Sequence, residues 1–282
     1  MKTVNSLSAG KTSSYLAAHY PADLEVFALV CIDCHNAGRN IDRKLIQMAN
    51  DKLQKYCSHH KPFVATSEDP MILKTMFDLE QFLGREIIWL RGVSWEQMLR
   101  AKKAIPNIDK RFCTTILKIS PIFEFLYFYH ELPVQMRIGY RYDEMERETQ
   151  FSDTIHYPTR CDYRPKSNTW IHRWQDILWR IGDFPLIRDK VLHHHVQQYW
   201  QDKSIIFPQD SNCQNCFWKA PQQLRKNYET NPSIMMWAAI MEVLYDHTFK
   251  EDYSLLEIQR MGLQLDFFFG SGSGCQAGFC TD

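Results

Sequence analysis

The sequence predicts an α/β protein built on a doubly wound parallel sheet, and two observations support this prediction. Short, almost wholly apolar runs at 24–31 and 63–66 are typical of strands that helices cover on both faces. Between them, residues 41–53 carry apolar side chains at helical spacing, with charged residues in between. Together with a strand at 3–7 that leads into a helix, this gives the β-α-β-α-β order of a doubly wound sheet.

The same alternation continues further along the chain. It predicts helices at 71–83 and 122–129, and strands at 86–90 and 134–138. From residue 151 the character changes, and aromatic-rich segments indicate a mostly helical C-terminal part; they contain Trp170, Trp174, Trp179 and Trp200. We therefore divide the chain into a nucleotide-binding domain at 1–150 and a cysteine-containing region at 151–282 that packs on it.

The composition narrows the class of protein. Among the 282 residues, 33 Lys and Arg balance 33 Asp and Glu, so we expect no bulk attraction to nucleic acid or membrane. No apolar run reaches the length of a membrane span, and the N-terminus begins directly with a strand, so we expect a cytoplasmic protein without a signal peptide. Nine cysteines in a reducing compartment favour metal or sulfur chemistry over disulfides.

The first strand–turn–helix unit is the strongest candidate site. Residues 8–13 read Ser-Ala-Gly-Lys-Thr-Ser and open a helix, whose first backbone N–H groups are unpaired and lie at the positive end of the helix dipole. Such a terminus binds phosphate, and the Lys11 ammonium and the neighbouring hydroxyls add donors. We predict a phosphate loop made of Ser8, Gly10, Lys11, Thr12 and Ser13.

Two other interpretations compete for this loop. A Walker A loop needs a glycine at position 5, where this chain has Asn5. An ordinary serine-capped turn is the second alternative.

Three further positions are candidate ligand contacts. Asp33 follows the buried run 24–31 and is a candidate nucleotide or metal contact, or else a turn aspartate. Arg141 and Arg147 follow the strand at 134–138 and predict a second phosphate or sulfate clamp, with a solvated helix start as the alternative.

Cysteines and cations cluster in two other places. Arg111 and Lys118 flank Cys113, so they could clamp anions and favour the thiolate; the alternative is a buried structural cysteine. Cys213 and Cys216 form a C-x-x-C pair, which binds a metal or cluster or forms a redox pair. A glycine-rich tail carries Cys275 and Cys280. The three histidines at 193–195 point in different directions and are expected to be solvated.

Three motifs together resemble the phosphoadenosine phosphosulfate (PAPS) reductase family of the PP-loop, or adenine-nucleotide α-hydrolase, superfamily. Residues 8–13 match the PP-loop, with alanine in place of its first glycine. Residues 113–121 (Cys-Thr-Thr-Ile-Leu-Lys-Ile-Ser-Pro) are similar to the cysteine–lysine–proline segment of iron–sulfur adenylylsulfate reductases. Residues 139–147 (Gly-Tyr-Arg-Tyr-Asp-Glu-Met-Glu-Arg) resemble the family's arginine loop. The chain resembles the divergent members of this family that phages and mobile elements carry.

The resemblance implies a Rossmann-like fold and a set of residue roles. An adenine nucleotide (ATP, PAPS or adenylylsulfate), with Mg²⁺ as a candidate companion, would lie on the phosphate loop opposite Arg141 and Arg147, near Asp33 and Arg111. The implied catalytic residues are Lys11, Cys113, Lys118 and Arg141. The implied ligands of a [4Fe–4S] cluster are Cys113, Cys213, Cys216 and a fourth thiol, Cys280 or Cys275, because Phe112 stands where the family has a second adjacent cysteine.

Three functions remain open at this point. The first is a PAPS reductase-like enzyme, although the family's Glu-Cys-Gly-[Leu/Ile]-His segment does not occur in the sequence. The second is an ATP-dependent sulfurtransferase acting on DNA or tRNA. The third is a non-catalytic nucleotide-binding component of a larger assembly, with structural zinc. A nucleic acid or a thiol protein is the expected acceptor, no membrane partner is expected, and a homodimer or larger complex is a candidate assembly.

Overall fold

A five-stranded parallel sheet forms the centre of the protein, whose computed structural model describes residues 1–262. Its strand order is β5–β2–β1–β6–β9. The strands are β1 (Thr3–Leu7), β2 (Leu24–Ala28), β5 (Ile87–Leu90), β6 (Val134–Arg137) and β9 (Arg180–Asp183). Two short strands, β3 (Cys31–Ile32) and β4 (Ala65–Thr66), pair antiparallel outside this sheet.

The order of the strands creates a crevice beside β1. From β1 the chain first builds outwards through β2 and β5, and later returns to the other side of β1 to add β6 and β9. Val4 of β1 accordingly pairs with Leu24 on one side and Met136 on the other. Ligands of doubly wound sheets bind outside the carboxyl ends of the strands at such a reversal. The predicted Rossmann-like α/β fold is confirmed.

Helices cover both faces of the sheet. The helices before residue 150 are α1 (Lys11–His19), α2 (Arg43–Cys57), α3 (Met71–Leu83), α4 (Trp95–Lys102), α5 (Phe112–Thr114) and α6 (Ser120–Tyr129). Successive residues of β2 show the two faces, because Phe27 packs with Leu16 and Met76 of α1 and α3, whereas Val26 packs with Phe123 of α6. A π-helical turn at Thr115–Ile119 joins α5 to α6.

The segment after residue 150 departs from the sequence prediction. Trp170 and Trp174, which we expected in helices, lie in a β-hairpin formed by β7 (Thr154–Arg164) and β8 (Thr169–Leu178). The physical reason is that a spacing of four residues places Trp170 and Trp174 on one face of a strand as well as of a helix, and that neither strand of the hairpin has a buried face to mark it. The run at 63–66 was also expected to be the third strand of the sheet, but only β4 forms there and β5 takes that place.

After the hairpin, β9 joins the central sheet, and Trp179, also expected in a helix, lies directly before it; the remaining elements of the described C-terminal part are helices, as predicted. These helices are α7 (Pro185–Arg188), α8 (His193–Gln201), α9 (Pro221–Thr230), α10 (Pro232–Tyr245) and α11 (Leu255–Arg260). Between residues 1 and 262, no helix combines the length and the apolar character needed to cross a membrane.

Candidate functional site

The phosphate loop lies at the carboxyl end of β1, beside the crevice. Ser13 closes it, because its hydroxyl accepts a hydrogen bond from the Ser8 N–H (3.1 Å) and donates one to the Gly10 carbonyl (3.1 Å). Gly10 is the N-cap of α1 and has no side chain to cap the first turn. Ala9 has a φ of +57°, in the left-handed region that favours glycine, so the loop adopts a strained conformation of the kind found at functional sites.

The predicted arginine clamp faces this loop. Arg141 follows β6, and its Nη1 donates to the Thr12 hydroxyl across the crevice (3.0 Å). Glu144 positions both arginines, since it pairs with Arg141 (3.2 Å) and with Arg147 (3.1 Å). A Cβ added to Gly139 would lie 3.4 Å from the Ser13 backbone, so glycine permits the close approach of the two segments.

A third wall, which the sequence did not reveal, completes a cavity of about 380 Å³. Gln197 of α8 accepts a hydrogen bond from Lys11 Nζ (2.6 Å), and His193, exposed as we expected, lies on the same wall. The segment 207–211 passes so close to the loop that a Cβ on Gly10 would lie 3.0 Å from the Ser211 hydroxyl. No motif in the sequence marks these residues, which reach the cavity only through tertiary packing.

A smaller cavity of about 50 Å³ lies further inside, between β1 and α6. Ser8 borders both this inner cavity and the loop cavity. Lys118 of the π-helical turn also lines the inner cavity. Its Nζ pairs with the buried carboxylate of Glu68 (2.9 Å). The buried guanidinium of Arg180 also lines it, so two cations border the inner cavity.

Three of the predicted cysteines line one further cavity. Cys113 approaches from α5, and Cys213 and Cys216 approach from the C-x-x-C turn. Lys118 and Asn212 line both this thiol cavity and the inner cavity. The inner cavity therefore shares lining residues with the loop cavity on one side and with the thiol cavity on the other.

Hydrogen bonds hold the C-x-x-C turn against the body of the protein. The Gln214 N–H donates to the Ser67 carbonyl (2.6 Å), and the Ser67 hydroxyl donates to the Cys213 sulfur (3.0 Å). Within the turn, the Cys216 N–H donates to the Cys213 carbonyl (3.1 Å). These contacts fix Cys213 and Cys216 at the cavity wall.

Burial favours the protonated form of Cys113 and Cys213, so Cys113 agrees with the alternative of a buried cysteine and not with a favoured thiolate. Burial raises the pKa of Cys213 to about 12 and also raises that of Cys113. The nearby Lys118 ammonium lowers both pKa values but does not outweigh burial. A metal ion would have to displace these protons.

The donors fit a soft metal or an iron–sulfur cluster in type, although the set is incomplete in residues 1–262. Thiolates are the ligands that such centres prefer. Asn215 supports a ligand here, because it lines the cavity fully buried and both polar atoms of its side chain lack a hydrogen-bond partner among the described residues. Over that range, no three or more His, Cys, Asp or Glu side chains form a group that could hold a metal ion. Cys275 and Cys280 lie outside the described residues.

Two predicted site residues lie elsewhere. Asp33 accepts a hydrogen bond from the Ser94 hydroxyl (2.9 Å) and lines none of the three cavities. Arg111 stacks over Trp218, which lines the thiol cavity, with its guanidinium carbon 5.5 Å from the ring centre, but Arg111 itself lines none of the three cavities. The structure thus brings together the loop, Arg141, Arg147, Lys118 and the three cysteines, but not Asp33 or Arg111.

Comparison of the chain with models of protein families, with curated proteins and with solved structures gives no match. The functional conclusion therefore depends on the geometry of the site and on the motifs.

Proposed function

We propose that this chain is a PAPS reductase-like enzyme of the cytoplasm that binds an adenine nucleotide on the phosphate loop and performs sulfur chemistry beside a cysteine-bound [4Fe–4S] cluster. One observation carries the proposal: the loop cavity and the thiol cavity border the same inner cavity. A simple nucleotide-binding module has no need of thiols at this place. The positive φ of Ala9, where the PP-loop motif has glycine, adds support.

Each residue has a role that follows from its position. The first-turn N–H groups of α1, Lys11 and Arg141 would bind phosphate or sulfate oxygens. Lys118 lines both the inner cavity and the thiol cavity. There it would neutralise negative charge that develops on a group passing from nucleotide to thiol. Cys113, Cys213 and Cys216 would hold the cluster, with Cys280 or Cys275 as fourth ligand. The cluster, when bound, would supply electrons or an open iron position.

Nucleotide binding is tested by calorimetry with ATP, PAPS and adenylylsulfate, with and without Mg²⁺. Arg141→Ala should weaken binding about 10- to 150-fold, because a hydrogen bond to a charged group contributes about 1.5–3 kcal/mol. Arg188→Ala is the matched control, since this arginine pairs with Asp183 and lines none of the three cavities. If none of the three nucleotides binds, or if both variants bind like the wild type, the proposed site is wrong.

The cluster is tested by anaerobic purification followed by absorbance spectroscopy and analysis of iron, sulfide and zinc. Cys213→Ser should lose the brown colour and most of the iron. Cys161→Ser should keep both, because Cys161 is exposed on β7. A colourless protein with stoichiometric zinc would instead favour the non-catalytic component.

A second candidate is an ATP-dependent sulfurtransferase acting on DNA or tRNA, and the exposed aromatic hairpin favours it. Incubation with α-labelled ATP separates the candidates. AMP released only in the presence of nucleic acid would favour the transferase. Adenosine 3′,5′-bisphosphate or AMP released from PAPS or adenylylsulfate with a thiol reductant would favour the reductase.

A further inference from the structure

The β7–β8 hairpin packs on the body of the protein only at its base. There Ile155 lies in the hydrophobic core, Ile177 packs against it, and the Tyr157 hydroxyl donates to Glu124 of α6 (3.2 Å). Beyond Pro158, nearly every side chain of both strands is exposed. Apart from a register shift between Pro158 and Arg160, the two strands stay paired to the tip, so the exposed part is a formed ribbon with two faces.

One face of this ribbon is aromatic. Residues that pair across antiparallel strands lie on the same face, and Ile155 and Ile177 define the face turned to the body. The opposite face carries Trp170, His172 and Trp174 in alternate positions of β8, and Tyr163 pairs with Trp170. The exposed fractions are 64% for Trp170, 53% for Trp174 and 46% for Tyr163. Exposed aromatic rings in such a group mark an interaction surface.

The charge of the hairpin indicates the kind of partner. The chain as a whole is neutral, but this ribbon carries twice as many cations as carboxylates. They are Arg160, Arg164, Lys166 and Arg173 against Asp162 and Asp176. Arg160 and Arg173 lie on the face opposite the rings and pair with Asp162, whereas Arg164 and Lys166 lie at the tip of the ribbon, next to Tyr163 and Trp170. A positive tip beside flat rings attracts an anion that has flat rings of its own, and it disfavours a second copy of the same positive ribbon.

We propose that the aromatic face of the hairpin binds single-stranded nucleic acid. Bases stack on exposed aromatic side chains, and Arg164 and Lys166 at the tip of the ribbon would contact phosphates. Alternate residues of a strand lie about 6.6 Å apart, roughly twice the rise per nucleotide in a duplex strand. Trp170, His172 and Trp174 therefore suit an extended strand with unstacked bases, one base to each ring. A duplex hides the faces of its bases and does not fit.

Fluorescence anisotropy with labelled 12-mer oligo(dT) and oligo(U) in low salt tests this proposal. Trp170→Ala/Trp174→Ala should weaken binding by at least about fivefold for each ring removed. Phe128→Ala is the matched control, because Phe128 is a 68% exposed ring on α6, outside the hairpin. Thermal unfolding should be the same for all variants, since both tryptophans lie far from the core.

Salt dependence provides a second, independent measurement. Arg164→Gln/Lys166→Gln should reduce the slope of log K against log salt by about 1.4, as two phosphate contacts on a single strand are lost. Oligonucleotide affinity that the tryptophan variant leaves unchanged would overturn the proposal. Tighter binding of duplex than of single strands would also overturn it. So would a wild-type dimer in light scattering that the tryptophan variant no longer forms while it keeps its oligonucleotide affinity. The assay contains neither mononucleotide nor added metal, so its failure would leave the proposed enzymatic function untouched.

Discussion

Lys118 is the residue whose replacement tests the centre of the site most directly. Its ammonium pairs with Glu68 at 2.9 Å, and it lines both the inner cavity and the thiol cavity. The Glu68 side chain is only 1% exposed, and besides Lys118 it accepts a long hydrogen bond from the Val30 N–H (3.4 Å). Lys118→Met keeps much of the side-chain volume but leaves a buried carboxylate without its cation.

The structure sets the size of the expected loss. Breaking a buried ion pair costs about 3–5 kcal/mol, but the carboxyl can escape by taking up a proton. For a group whose ordinary pKa is 4.5, protonation at pH 7 costs about 3 kcal/mol. Burial already raises the pKa of Glu68 in the wild type, in spite of Lys118, so the difference is smaller. We expect Lys118→Met to lower the free energy of unfolding by about 2 kcal/mol at pH 7.

The shift of the Glu68 pKa determines how the stability difference between Lys118→Met and the wild type changes with pH. The variant raises the folded-state pKa of Glu68 further above its unfolded value, so stability is retained below pH 4.5 and lost as the pH rises through the folded pKa. The difference from wild type should therefore shrink towards pH 4.5.

Urea unfolding at pH 4.5, 6 and 7 measures this difference. Glu68→Gln/Lys118→Met should recover most of the stability, because no buried charge remains. Lys52→Met should cost less than about 1 kcal/mol, since both partners of its pair with Glu80 are partly exposed. An unchanged urea midpoint at pH 7, or a loss that does not depend on pH, would refute the reasoning.

Three further predictions concern the scaffold and are checked by urea unfolding. Ser94→Ala removes a capping box and a contact to Asp33, and should cost about 1–2 kcal/mol. Gly84→Ala should lower the free energy of unfolding by about 1 kcal/mol, because only the positive φ opposes a side chain there. Gly38→Ala should lower it more, because its Cβ would lie 2.2 Å from the Val64 carbonyl oxygen. Leu126→Ala empties a fully buried position and should cost about 2–5 kcal/mol.

The fold was predictable where the hydrophobic period is clear. The runs in β2 and β5 are almost wholly apolar, as expected of strands that are covered on both faces, and both form the sheet as predicted. The hairpin was missed because its exposed strands have no buried face to give an apolar alternation; Trp170 and Trp174 suggested a core helix. Strand β4 was misplaced because two residues of pairing contain no information about which sheet they join.

The site was predictable where a functional residue directly follows a strand. Ser8 follows β1 and Arg141 follows β6, and parallel neighbours bring their carboxyl ends together, so the two segments meet across the crevice. Asp33 also follows strands, but β3 pairs with β4 outside the main sheet and turns it towards Ser94. Gln197 reaches Lys11 from a helix 186 residues away, which no local pattern reveals.

The arrangement of the three cavities limits the reactions that any of the candidate functions can use. Under the proposed function, phosphate on the loop would lie on one side of Ser8, and the thiols lie on the far side of Lys118. A group transferred between them must occupy the inner cavity, whose volume of about 50 Å³ admits a small sulfur-containing group but not a nucleobase. If the hairpin binds a nucleic acid, only a small sulfur-containing group could therefore connect that strand to the thiols through this route. A larger acceptor must reach them from the open side of the thiol cavity.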